Sequence, residues 1–198
     1  MAQTGNRWPL AFATALGLGA VAAGFAVGGD RIEDWQLAAR WTARVGLPVF
    51  LVTYLASSLA RLFPSPGTKV LLRDRRWWGL GFASTHTIHL VALTTFLTIG
   101  PESRTLGSLV PGGLAYVVLY LMAATSNGWA MRRLGRNWKR LHTFGMHYIW
   151  FIYTAAYAGR IFEPGKQVEG AIATTLLVGA LGMRLAARRK RAPVPAVA

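Results

Sequence analysis

Long apolar runs separated by short charged breaks make up almost the whole chain. A run of about 20 apolar residues is the length that crosses a bilayer as a helix. On that measure spans are expected at about 8–28, 43–63, 77–99, 110–131, 141–162 and 168–187, with 188–198 as a basic tail disordered after Arg191. Residues 29–41 read as a polar loop with an amphipathic turn, and 64–76 as a basic loop broken by Pro64, Pro66 and Gly67. Pro48 falls inside the second run, where a membrane helix tolerates it. A cleaved signal peptide is the alternative reading of 8–28, because Arg7 precedes a run rich in small residues. The run is long for such a segment, so a retained helix is expected. The fold class is therefore all-α: a polytopic bundle of six transmembrane helices forming one domain over 1–198.

Composition agrees. Of the 198 residues, 53% are hydrophobic and only 15% charged, against about 25% charged in soluble domains. The net charge of +15 raises nucleic acid as a partner. Its cations, however, sit in short breaks between apolar runs, the pattern that sets topology and meets anionic lipid headgroups. Nucleic-acid binding is excluded on that ground, and membrane lipid is the expected partner. With both termini cytoplasmic, sixteen of the 22 cations fall inside. Asp30, Glu33, Asp34, Glu102, Glu163 and Glu169 fall outside, and Asp74 alone of the seven acids falls inside. The expected location is the inner (plasma) membrane. Arg160 and Glu163 read as a pair at the outer surface.

The chain has no cysteine, which rules out disulfides, iron–sulfur ligation and covalent c-type haem. Any redox centre needs a bound cofactor held by other ligands. All four histidines lie in two segments of similar plan. Arg73, Arg75 and Arg76 precede a span carrying His86 and His89, and Arg132, Arg133, Arg136, Lys139 and Arg140 precede one carrying His142 and His147. Histidine inside lipid is costly and marks function by default, although interhelical hydrogen bonding alone also accounts for such residues.

Spacing constrains which histidines can act together. His86 and His89, three apart, share one side of a helix. His142 and His147, five apart, diverge by about 140° and cannot both face one partner. Counted from the preceding cations at 1.5 Å per residue, His86 lies roughly 15 Å deep, His89 roughly 20 Å, His147 roughly 10 Å and His142 only about 3 Å. The best level match for a two-histidine clamp is His86 or His89 with His147. His142 sits near the inner surface, within reach of a haem propionate, a quinone headgroup or a second cofactor. Zinc fits less well than haem, since no acid or cysteine completes a tetrahedral site at these depths. Haem needs two imidazoles, an apolar slot and cations for its propionates, for which Arg75 and Arg140 are the candidates. Gly79, Gly81 and Gly145 allow close approach of a flat macrocycle or, equally, ordinary helix packing. Expected cofactors are one or two haem b groups, with quinone or FMN as further candidates. Neighbouring Thr85 and Thr87 could fix a ring N–H.

At this point the chain resembles the ferric reductase-like transmembrane family, and within it the haem-binding membrane subunits of periplasmic methionine sulfoxide reductase systems. RRLGRNWKRLH (132–142) closely matches the signature before that family's fifth helix. RRWWGLGFASTHTIH (75–89) resembles the family's RRxLGLxxFxxxxLH. The resemblance covers roughly 45–190. It implies haem-ligand positions at His89 and His142, while the family's second fifth-helix histidine corresponds to Ala155, which cannot ligate. Either the ligand pair has moved to His86 or His89 with His147, or one family haem position survives.

The resemblance implies a membrane cytochrome b electron-transfer subunit, an oxidoreductase component more than a complete enzyme. No Gly-rich dinucleotide fingerprint is present, so electrons would come from quinol or a separate flavoprotein. The acceptor would face outward, as a periplasmic molybdenum-cofactor reductase does, or be a metal reduced directly. Two rivals stand beside this reading. A cofactor-free transporter would use the histidines as a proton relay, and a structural or assembly protein would use the basic loops for partners.

Overall fold

A computed structural model of the chain describes residues 6–101 and 105–190. The tail after Lys190, and Glu102, lie outside them. Seven helices follow in order among the described residues: α1 (Trp8–Val27), α2 (Arg31–Leu62), α3 (Pro66–Ile99), α4 (Leu106–Ala124), α5 (Gly128–Leu134), α6 (Arg136–Arg160) and α7 (Gln167–Arg189). The protein is all-α, and several helices have the character of a multi-pass membrane protein. α1, α2, α3 and α7 are long and apolar enough to cross a bilayer, and α4 with α5 makes a fifth if the bent pair is one span. α6 falls outside that set because His142, His147, Tyr148, Tyr153 and Tyr157 lower the hydropathy of its charge-free part.

Helix caps explain where these elements depart from the apolar runs. The Asp30 carboxylate accepts from the backbone N–H groups of Ile32 and Glu33, an N-cap that starts α2 at Arg31 and absorbs the expected polar loop. Ser65 and Thr68 form a reciprocal capping box with Pro66 in the first turn, so α3 begins eleven residues before the expected span, within the expected basic loop. The fourth run is interrupted instead. α4 stops at Thr125, Asn127 caps α5 by accepting from the Ala130 N–H, and α5 turns away by 104°. Gly135, at φ 50°, then lets the chain turn into α6.

α1, α2 and α3 pack tightly through small residues. A Cβ on Gly24 would sit 2.6 Å from the Ala38 nitrogen, and one on Gly81 would meet Ala13 and the Pro9 carbonyl. Thr85 donates to the Ala13 carbonyl at 2.8 Å. α7 packs on α2 and α6, and α4 on α6. α3 and α6, the two histidine helices, meet through side chains more than through backbone.

Charged groups collect at opposite ends of the bundle. Arg44 and Arg160 both bind Glu169, at 2.7 and 2.6 Å. Glu163 binds Lys166 instead of Arg160, because Glu169 in the first turn of α7 stands beside the end of α6. At the other end, buried Asp74 accepts from Arg73 at 2.8 and 3.1 Å and from the Asn6 N–H at 3.0 Å.

Candidate functional site

Two stripes of side chains face each other across the gap between α3 and α6. On α3 they are Arg75, Gly79, Phe82 and His86, and on α6 His142, Met146 and Tyr153. Steps of three, four or seven residues keep each set on one helical face. Toward the basic end the stripes part around a cavity of about 580 Å³, lined by Arg75, Arg76, Gly79 and Phe82 of α3 and Lys139, His142 and Met146 of α6. Leu119 and Met122 of α4, Arg184 of α7, Thr53 and Ser57 of α2, and Ser126 and Asn127 at the α4–α5 break also line it. Its volume is in the range of cofactor sites, about 300–1,000 Å³. Toward the other end the stripes close: the Tyr153 hydroxyl meets His86 Nε2 at 2.8 Å. A shallow apolar groove between α1 and α2 lies apart from the histidines.

Each histidine has its own hydrogen-bond setting. His89 Nδ1 lies 3.0 Å from the Thr42 hydroxyl, which itself donates to the Ala38 carbonyl at 2.7 Å. Thr42 therefore accepts from His89 Nδ1–H, and the Nε2 lone pair is left free. This is the tautomer a metal-ligating imidazole needs. Thr42 of α2 does what the threonines beside His89 were expected to do; Thr85 and Thr87 bind carbonyls of α1 and α3. His86 presses against α2 at Gly46, where a Cβ would come within 2.5 Å of its Cε1 and 2.8 Å of the Tyr153 hydroxyl. Its buried Nδ1 has no partner.

His142 is the one histidine lining the cavity. Trp138 stacks on it at 4.1 Å and donates its indole N–H to the Thr125 carbonyl. The Thr125 hydroxyl donates to Leu121 and accepts from His142 Nε2 at 3.2 Å, so Nδ1 carries the free lone pair. His147 points elsewhere. Its Nδ1 donates to the Thr143 carbonyl at 2.7 Å, and Nε2 lies 3.4 Å from Arg188 of α7 and near the Tyr54 ring. No described hydrogen bond or ring contact joins His147 to His86 or His89, and its ring faces α7.

The remaining candidates divide. Arg75 reaches the cavity, whereas Arg140 is exposed outside its lining. Gly79 lines the cavity; Gly81 serves packing against α1, and Gly145 meets Met122 and Val118 of α4. Ala155 is exposed and off the α6 stripe. No cluster of three or more metal-ligating histidine or acidic side chains occurs among the described residues. The site also includes residues that histidine counting misses: Thr42, Tyr153, Thr125 and Arg184. Arg184 carries a sequence signal, as a cation one turn inside the last apolar run. Tyr153 carries one too, as a position on the His142 face three turns further along α6.

The cavity's volume is in the range of cofactor sites, its walls are mostly apolar, and its cations suit carboxylates such as haem propionates. The cavity holds one imidazole, His142, with Nδ1 free, while His86 and His89 lie outside its lining and His86 Nε2 is bonded to the Tyr153 hydroxyl. No protein-family model matches the chain, and no solved structure matches it.

Proposed function

We propose that this chain is a membrane electron-transfer subunit of the cytochrome b kind, with six spans and both termini cytoplasmic in the inner membrane. The cavity between the two histidine helices carries the reading: apolar inside, basic at its mouth, with His142 in its wall and His86 and His89 beyond Phe82. The family resemblance of 75–89 and 132–142 points the same way. Haem b, when bound, supplies one-electron transfer. His142 is the ligand candidate at the mouth, with Trp138 and Thr125 orienting its ring. Arg75, Arg76, Lys139 and Arg184 are the propionate candidates, Arg140 being exposed elsewhere. His89, with Thr42 holding its N–H, is the ligand candidate on α3.

Electrons would arrive from quinol or a separate flavoprotein at the basic face and leave to an outer-facing acceptor, with a molybdenum-cofactor reductase as the partner the resemblance implies. Substrate chemistry would then belong to that partner. Quinone or FMN remains the other candidate for the cavity.

A reduced-minus-oxidised absorption spectrum of the purified, haem-reconstituted protein tests this directly. The expected result is a b-type spectrum that is lost in His142→Ala and altered in His89→Ala. A protein that stays colourless after reconstitution overturns the reading.

A further inference from the structure

We infer that the mouth of the cavity between α3 and α6 is a binding site for the anionic head of an amphiphile, anchored by Arg184. Arg184 stands one turn inside the apolar part of α7. It is held from behind: its guanidinium donates to the Tyr54 carbonyl at 2.6 Å and lies over the Tyr54 ring at 4.2 Å. That arrangement fixes the side chain without neutralising it. Among the described residues, none of the ion pairs engages Arg184, Arg75, Arg76 or Lys139, although all four line the cavity. Asp74, the acid nearest in sequence, is committed to Arg73 and the Asn6 N–H. No acid at all occurs between Glu102 and Glu163, so α4, α5 and α6 bring none to the cavity.

Four cations without an acidic partner line this cavity, Arg184 half-buried and Arg75, Arg76 and Lys139 exposed at its rim, and together they attract an anion. Arginine matches the planar, two-oxygen face of a carboxylate or phosphate. Phe82, Leu119 and Met146 behind them suit an apolar body. The ligand class is therefore an apolar molecule with a carboxylate or phosphate at one end. A haem propionate and an anionic phospholipid headgroup share that chemistry. The site stands independently of the cytochrome reading, since a lipid can occupy it in a colourless protein.

The test uses the full chain, delipidated in neutral detergent, with binding read by thermal shift and by absorbance. The probes are phosphatidylglycerol against phosphatidylcholine of the same acyl chains, and haem b against its dimethyl ester. Preference for either anionic probe by tenfold or more supports the site. Haem preferred over its ester assigns the site to propionate; phosphatidylglycerol preferred by a colourless protein assigns it to lipid, and the cytochrome reading alone falls. Arg184→Gln is expected to weaken the preferred probe at least fivefold, with Arg184→Lys partly restoring it. Lys139→Gln, at an exposed position, gives the same direction if Arg184→Gln fails to fold, and Lys166→Gln at the opposite end changes nothing. Equal binding of charged and neutral probes, or no effect of Lys139→Gln, overturns the inference.

Discussion

The hydroxyl of Tyr153 on α6 lies 2.8 Å from Nε2 of His86 on α3. This bond closes the gap between the two histidine helices at the end remote from the basic cavity. Phe50 stacks on Tyr153 from α2 at 5.3 Å, and Tyr157 follows it along α6 at 6.2 Å in near-parallel planes. Tyr153 is thereby held in one orientation, and its hydroxyl has the imidazole as its partner.

Tyr153→Phe keeps the ring packing and removes only the hydroxyl. Interhelical hydrogen bonds in membrane proteins average about 0.6 kcal/mol and reach about 1.7. Here the loss leaves both nitrogens of a buried imidazole unpaired, which puts the cost toward the upper end, about 1–2 kcal/mol. Equilibrium unfolding in mixed micelles measures it. A double substitution with His86→Phe should recover part of the loss, because no orphaned ring nitrogen remains. A double variant weaker than the sum of the two singles contradicts the bond's role.

Gly46 sets how closely His86 can approach α2. An alanine there would place its Cβ 2.5 Å from His86 Cε1 and 2.8 Å from the Tyr153 hydroxyl. Both neighbours are held by rings on their far sides, so overpacking should cost about 1–3 kcal/mol. Gly19 has open space around it, and Gly19→Ala should be neutral or slightly stabilising. The ranking of the two melting temperatures is the observation that decides.

The helices are legible in sequence because a run of about 20 apolar residues has few other outcomes. Their ends are less so. Asp30 and Ser65 look like loop residues, and only as N-caps do they carry α2 and α3 into the expected loops. Thr125, Ser126 and Asn127 are too few to read as the 104° break between α4 and α5. For the site, counting residues from the cations gives depth but not direction around the helix. His147 has the right level, yet it lies about 100° from Met146 on the helical wheel and faces α7. Its partner Arg188, like the contact of Thr42 with His89, is 41 or 47 residues away in sequence, where local spacing is silent.

His147→Ala should therefore leave any spectrum of the loaded protein unchanged within error, in contrast with His142→Ala. Its ring lies outside the cavity and bonds to Thr143 and Arg188. Absorption spectra of the two variants, normalised to haem bound per protein, separate them. A shift in band position with His147→Ala would place this residue in the cofactor's surroundings after all.

Asp74 ties the segment before α1 to the basic end of α3, ahead of the apolar span. The Arg73 guanidinium, and secondarily the Asn6 N–H, hold its carboxyl below the ordinary carboxylate range, against the opposing effect of burial. A carboxyl whose folded value is depressed binds protons more readily in the unfolded chain. Its contribution is thus present above the unfolded value of about 3.9 and is lost as pH falls through the lower folded value. Acidification from about pH 5 should loosen the start of α1 before the remainder of the bundle melts, since Trp8 also leans on Trp78 there at 5.3 Å. Asp74→Asn should remove that acid step and lower stability at neutral pH, because the amide keeps the shape but loses the charge paired with Arg73. Tryptophan emission followed from pH 6 to pH 2 reads both effects. An acid transition of unchanged size in Asp74→Asn would assign it to another carboxylate.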